Sequence, residues 1–136
     1  MATARKSGSR RGATLVESAL ALMVFGVLMA GVMELGFTGF IDSSVTFAAQ
    51  RAARYAAVRG SGSGHPATVA DIRAIAQSYA APLSTAYLTV TTTWTPNNNP
   101  GSTVLVTVSY AIRPALLPIS AGVLTLQSAA RQTITQ

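Results

Sequence analysis

From Ala13 to Met33 the chain is almost wholly apolar, and two arginines and a glycine stand directly before that run: RRGATLVESALALMVFGVLMAGVMELG over residues 10–36. This meets the requirement of about 20 apolar residues for a helix that crosses a hydrocarbon core roughly 30 Å thick. A helix that is apolar all round has no face to turn to water, which excludes most soluble architectures for this segment. One residue breaks the run. Glu17 lies four places after Ala13, where a carboxylate costs about 2.5–3.5 kcal/mol at the bilayer centre on the milder scales. An acid kept at that cost is a candidate functional residue.

Charge placement gives the run a direction. The formal net charge is +6, but Arg5, Lys6, Arg10 and Arg11 all precede the apolar run, and beyond them six cations face four acids. The excess therefore reads as a positive-inside anchor that keeps the N terminus cytoplasmic and sends the C-terminal part across the membrane. The same placement argues against nucleic acid as a partner, since the basic cluster is confined to the N-terminal tail. No cysteine is present, so neither a disulfide framework nor thiolate chemistry is available. A cleaved secretory signal fits poorly. Leu28-Met29-Ala30 is a weak version of the small-residue cleavage pattern, and the run is longer than a usual signal core.

Taken in order, residues 1–12 form a basic leader without apolar periodicity, and 13–36 form the transmembrane helix. Gly26 and Ala30 within it make a small-xxx-small pair that permits close helix packing in lipid. Over 37–59 the pattern becomes amphipathic. Phe37, Ile41, Val45, Ala48, Ala52 and Tyr55 recur at spacings of three and four, and no proline interrupts, so one long helix is predicted. Residues 60–67, with Gly60, Gly62, Gly64 and Pro66, end it and act as a flexible Gly/Ser linker.

Residues 68–136 read as an extracytoplasmic α+β domain. A second, short helix is predicted from about Thr68 to Ala81, with Thr68 as N-cap, Asp71 in the first turn and Pro82 as its stop. The period then falls to two. Leu88, Val90, Thr92 and Trp94 share one side of a first strand, and Val104, Val106, Val108, Tyr110 and Ile112 one side of a second. Pro114 and Pro118 bracket a loop before a weaker third strand over 123–134, which gives a three-stranded antiparallel meander.

Gly12-Ala13-Thr14-Leu15-Val16-Glu17 is similar to the processing site of a type IV prepilin, where a peptidase cuts after glycine and a glutamate stands fifth in the mature chain. With RRGATLVESALAL, the later MELG, and AAQRAARYAAVRG at 48–60, the first 60 or so residues resemble the TadE-like family of Tad (Flp) pilus proteins. Ser18 stands where that family commonly has an aromatic, and the run lacks the proline that many members carry. The resemblance implies a pilin-like structural subunit of a bacterial inner membrane, single-pass, and extracellular if built into a pilus. It also implies cleavage between Gly12 and Ala13, and partners that are other pilin-like subunits, a prepilin peptidase and membrane lipid. Once Ala13 carries a free amine, Glu17 on the same helix face becomes an assembly residue that pairs with that amine in its own chain or a neighbour's. The alternative is an uncleaved, single-pass scaffold or binding module of a secretion system.

The other constellations carry less. Gly60, Gly62 and Gly64 lack the preceding strand and the following Gly-Lys-Ser/Thr of a phosphate loop. His65 is the sole histidine, so no metal site and no cofactor is expected. Ser63, His65 and Asp71 lack a nucleophile-elbow context, and no enzyme is predicted. Arg51 and Arg54, three apart on the amphipathic helix, suit solvent, anionic lipid headgroups or the acids of a partner.

Overall fold

A computed structural model describes residues 8–112 and 123–136. The elements are α1 (Gly8–Val58), α2 (Val69–Tyr79), a short 3-10 turn (Thr85–Tyr87), and strands β1 (Leu88–Thr95), β2 (Thr103–Ile112) and β3 (Leu124–Thr133). This is the long apolar helix, short helix and three-stranded antiparallel sheet that the periodicities predict. The chain divides into two compact units, Met1–Gly36 and Phe37–Gln136, and α1 contributes to both.

In the first unit α1 starts at Gly8, inside the stretch read as a leader. Residues 9–12 contain no proline, arginine favours helix, and one glycine costs only about 1 kcal/mol, so nothing there stops it. Arg5 and Lys6 lie outside the described residues, as does the loop bracketed by Pro114 and Pro118. Leu15, Leu22, Met23, Phe25, Val27 and Leu35 are all exposed. Each is worth about 1.5–3 kcal/mol when removed from water, which a bilayer supplies and solvent does not. The helix is long and apolar enough to cross a membrane.

The second unit is built on the rest of α1. Ile41, Val45, Ala48, Ala52 and, in addition, Ala49, Ala53, Ala56 and Ala57 are buried there. That face is broader than the predicted stripe and flatter, being mostly alanine. Two stripe residues differ from expectation. Phe37 is 58% exposed and Tyr55 only half-buried, because both flank the alanine surface rather than lie on it. The second helix is capped as its sequence demands. The Thr68 hydroxyl accepts from the Asp71 backbone N–H at 3.2 Å, and the Asp71 carboxylate accepts from the Thr68 backbone N–H at 3.0 Å. Ile72 and Ala76 are its buried residues.

The sheet order is β1-β2-β3, both pairs antiparallel. Register brings Val90, Val108 and Ser128 into one row and Thr92, Val106 and Ala130 into the next. Alternate residues of β2, Val104, Val106 and Val108, are fully buried and join the α1 alanines, Ile72 and Ile134 in one core. Between β1 and β2, Asn99-Pro100-Gly101-Ser102 makes a turn closed by Ser102 N–H to Asn99 C=O at 3.0 Å. Gly101 sits at φ 85°, the position where such a turn needs glycine.

The segment after α1, expected to be a flexible connector, is pinned. Ser61 N–H donates to Asn98 C=O at 2.8 Å, Ser61 Oγ to Asn99 Oδ1 at 2.7 Å, and Ala67 N–H to Arg59 C=O at 2.8 Å. Gly60 is buried, and a Cβ there would run into the Gln136 carbonyl and the Ile134 side chain. At Gly64 a Cβ would meet nothing within 4 Å.

Two outcomes follow from this packing. Gly60→Ala should destabilise the C-terminal unit by about 1–3 kcal/mol, while Gly64→Ala changes it little; thermal melting followed by the single tryptophan, Trp94, separates them. The Thr68 hydroxyl and backbone N–H hold the Asp71 carboxyl below its ordinary value, with Arg59 acting in the same direction. A depressed carboxylate contributes stability above its unfolded pKa and loses it as pH falls through the folded one. The stability gap between the native chain and Asp71→Asn should therefore be present at neutral pH and close in acid.

Candidate functional site

Along the first unit the functional candidates are spaced by helix geometry. Gly12 and Ala13 are exposed and helical, so the bond between them lies within α1 rather than in a loop. Glu17 is exposed one turn further on, on the face that carries Ala13. Among the described residues it makes no hydrogen bond or ion pair within the chain. Gly26 is exposed and Ala30 partly so, and no neighbour comes within 4 Å of a Cβ built at Gly26. At 3.6 residues per turn, Glu17 and Gly26 are about half a revolution apart. The acid and the small-residue patch therefore occupy opposite sides of one helix. One side of the helix thus carries a carboxylate and the other two small residues.

In the second unit, an aromatic and arginine cluster ties α2 to α1. Phe47 and Tyr79 meet edge to face with centroids 5.6 Å apart, and the Arg51 guanidinium lies 4.9 Å from the Phe47 ring and 5.5 Å from that of Tyr79. Arg59 covers the Tyr55 ring at 4.7 Å and donates to its hydroxyl at 3.0 Å. Arg51 and Arg54 are both exposed and line a groove of about 450 Å³ beside β3. Arg131 of β3 lines it too. Sequence reasoning passed over Arg131, because the strand around it, SAARQT, has too few large apolar residues to draw attention.

Ser63, His65 and Asp71 are not brought together. Ser63 Oγ donates to the Gly60 carbonyl at 2.8 Å, the Asp71 carboxylate is taken by Thr68, and His65 is exposed. No cluster of three metal-ligating side chains forms among the described residues.

The family model described as TadE-like protein matches residues 12–54, from the glycine at the candidate cleavage site to Arg54. This is the family that the sequence motifs resemble. No curated protein and no solved structure matches the chain.

Proposed function

We propose that this chain is a pilin-like structural subunit in the assembly of a Tad-type pilus, cut by a prepilin peptidase between Gly12 and Ala13. The observation that carries this reading is the coincidence of three features on one helix. The TadE-like match begins at Gly12, the apolar span begins at Ala13, and the acid stands at the fifth position after the glycine. TadE-like proteins are associated with Tad pili, and membrane association follows from the apolar helix.

Cleavage changes the chemistry of the helix start. It removes the cationic leader and creates an α-amine on Ala13 with a reference pKa near 8. In lipid that amine and the Glu17 carboxylate each need a partner of opposite charge. Within one chain they lie on one face, a turn apart; between neighbouring chains the carboxylate of one can take the amine of the next. The intermolecular pair makes the acid a sensor of register between subunits, and so accounts for an acid in this position better than a solvated glutamate does. The small-residue patch on the other side gives a further neighbour a place to pack. A helical Gly12–Ala13 bond must open to be cut, and glycine lowers that cost by about 1 kcal/mol against alanine.

Intact-mass analysis of the membrane-extracted protein should find a chain that starts at Ala13 in cells carrying the peptidase. Recovery of full-length protein alone would favour an uncleaved anchor. Glu17→Gln keeps size and hydrogen-bonding capacity but removes charge; it should insert and be cut normally, yet fail to co-purify with the other pilus subunits. Undiminished co-purification would exclude the charge pair.

A further inference from the structure

The outer edge of β3 is a second candidate contact, on the C-terminal unit. In an antiparallel ladder the N–H and C=O of one residue point to the same side, and successive residues alternate. Ile134 N–H donates to Ser102 C=O at 2.8 Å, so Ile134, Gln132, Ala130 and Ser128 point their backbone groups towards β2. Thr135 N–H points the other way and donates to Ala57 C=O of α1 at 3.0 Å. The alternate residues Thr133, Arg131 and Ala129 therefore turn their N–H and C=O outward. No described residue bonds those groups. An edge of this kind is a template for another strand.

Beside this edge runs the groove that Arg51 and Arg54 line. Its strand wall is Ser128 through Gln132 without a break. Because successive residues of a strand face opposite sides, a wall of consecutive residues means that the groove follows the edge, not one face. Its other wall is α1, through Thr46, Gln50, Arg51 and Arg54. Arg131 also borders a hollow with Thr95, Thr103 and Leu105, residues of the face turned away from the core. A strand added to β3 would thus have Arg51 and Arg54 on one side and Arg131 on the other. No acid lines the groove, and none of these arginines forms an ion pair among the described residues.

We propose that this edge docks an extended, acidic segment of a partner protein as a fourth strand. Backbone bonds to Ala129 and Arg131 would set its register, and carboxylates on its two faces would meet the arginines. A gatekeeper role against edge pairing explains Arg131 alone, but not the two helix arginines across the groove. A second copy of this chain does not fit. From Phe37 onward it has Asp42 and Asp71 as acids against six arginines, with no acid in any strand, and edge-to-edge pairing of two copies would bring arginines together. The β2–β3 connection of the same chain, RPALLPISAG, also has no acid. The docking needs neither cleavage at Gly12 nor the charge of Glu17, so it stands or falls separately from the pilin reading.

The test uses the full chain in non-ionic detergent and a labelled peptide in which glutamate alternates with valine and threonine, read by fluorescence anisotropy. The peptide should bind, more weakly as salt is added, and should slow hydrogen exchange at the Ala129 and Arg131 amides. Arg51→Gln combined with Arg54→Gln should weaken binding roughly tenfold. Ala129→Pro removes an outward N–H and no β2–β3 bond, and should abolish binding with the Trp94 melt preserved. Equal binding of a lysine version, or no binding at all, would overturn the proposal. So would arginine-dependent binding to phosphatidylglycerol vesicles while the glutamate peptide leaves both amides exchanging as before, which would assign the arginines to lipid headgroups. Should the proline variant not fold, the exchange pattern of the native chain decides.

Discussion

The C-terminal unit depends on how alanine meets valine. Ala48, Ala49, Ala52, Ala53, Ala56 and Ala57 give α1 a face with almost no relief, and Val104, Val106 and Val108 of β2 give the sheet one of moderate relief. Small side chains let a helix backbone come near its partner, so one short stretch of helix can close a core with few large residues. The unit contains no disulfide and is small, so this shared face supplies much of what holds it. The C terminus then locks the arrangement: Ile134 fills the end of the core, and Thr135 caps a free carbonyl of α1.

The same helix carries two side-chain patterns. From Gly12 to Gly36 its side chains are mostly exposed and, Thr14, Glu17, Ser18 and Glu34 apart, apolar or glycine; from Ile41 on, the buried apolar residues share one face. One secondary-structure element can do this because helix hydrogen bonding is internal, and only the side-chain pattern answers to the surroundings. The TadE-like match ends at residue 54, inside the alanine face and short of the sheet. The residues proposed for assembly, a glycine, an acid and a small-residue pair, lie wholly within the matched part. The arginine groove does not, because it needs β3.

Much of this was legible from periodicity. The apolar run, the switch to a single face, the Thr68–Asp71 cap and the two alternating strands each leave a pattern with one physical reading. What escaped has common causes. Ala49, Ala53, Ala56 and Ala57 carry too little hydrophobicity to mark a face, although together they form half of it. Spacing puts Phe37 on the stripe, but the buried surface starts only at Ile41. Gly60 reads as slack in the sequence, since no local pattern announces that residues 134–136 come back against it. The edge of β3 and Arg131 were invisible for a similar reason: which strand lies outermost is a property of pairing order, and a groove between distant segments has no signature in either.

The order in which the chain is made gives the alanine face another meaning. α1 leaves the ribosome before any strand exists, and its last partner, Ile134, follows all three strands. Until then the face of the helix beyond Gly36 has nothing to cover it. Leucines there would bind whatever apolar surface came by, including lipid and other unfinished chains. Alanines attract little on their own and can wait, exposed, until the strands follow. A face that is weak alone and sufficient only against a completed sheet ties folding of this unit to the arrival of β3 and Ile134.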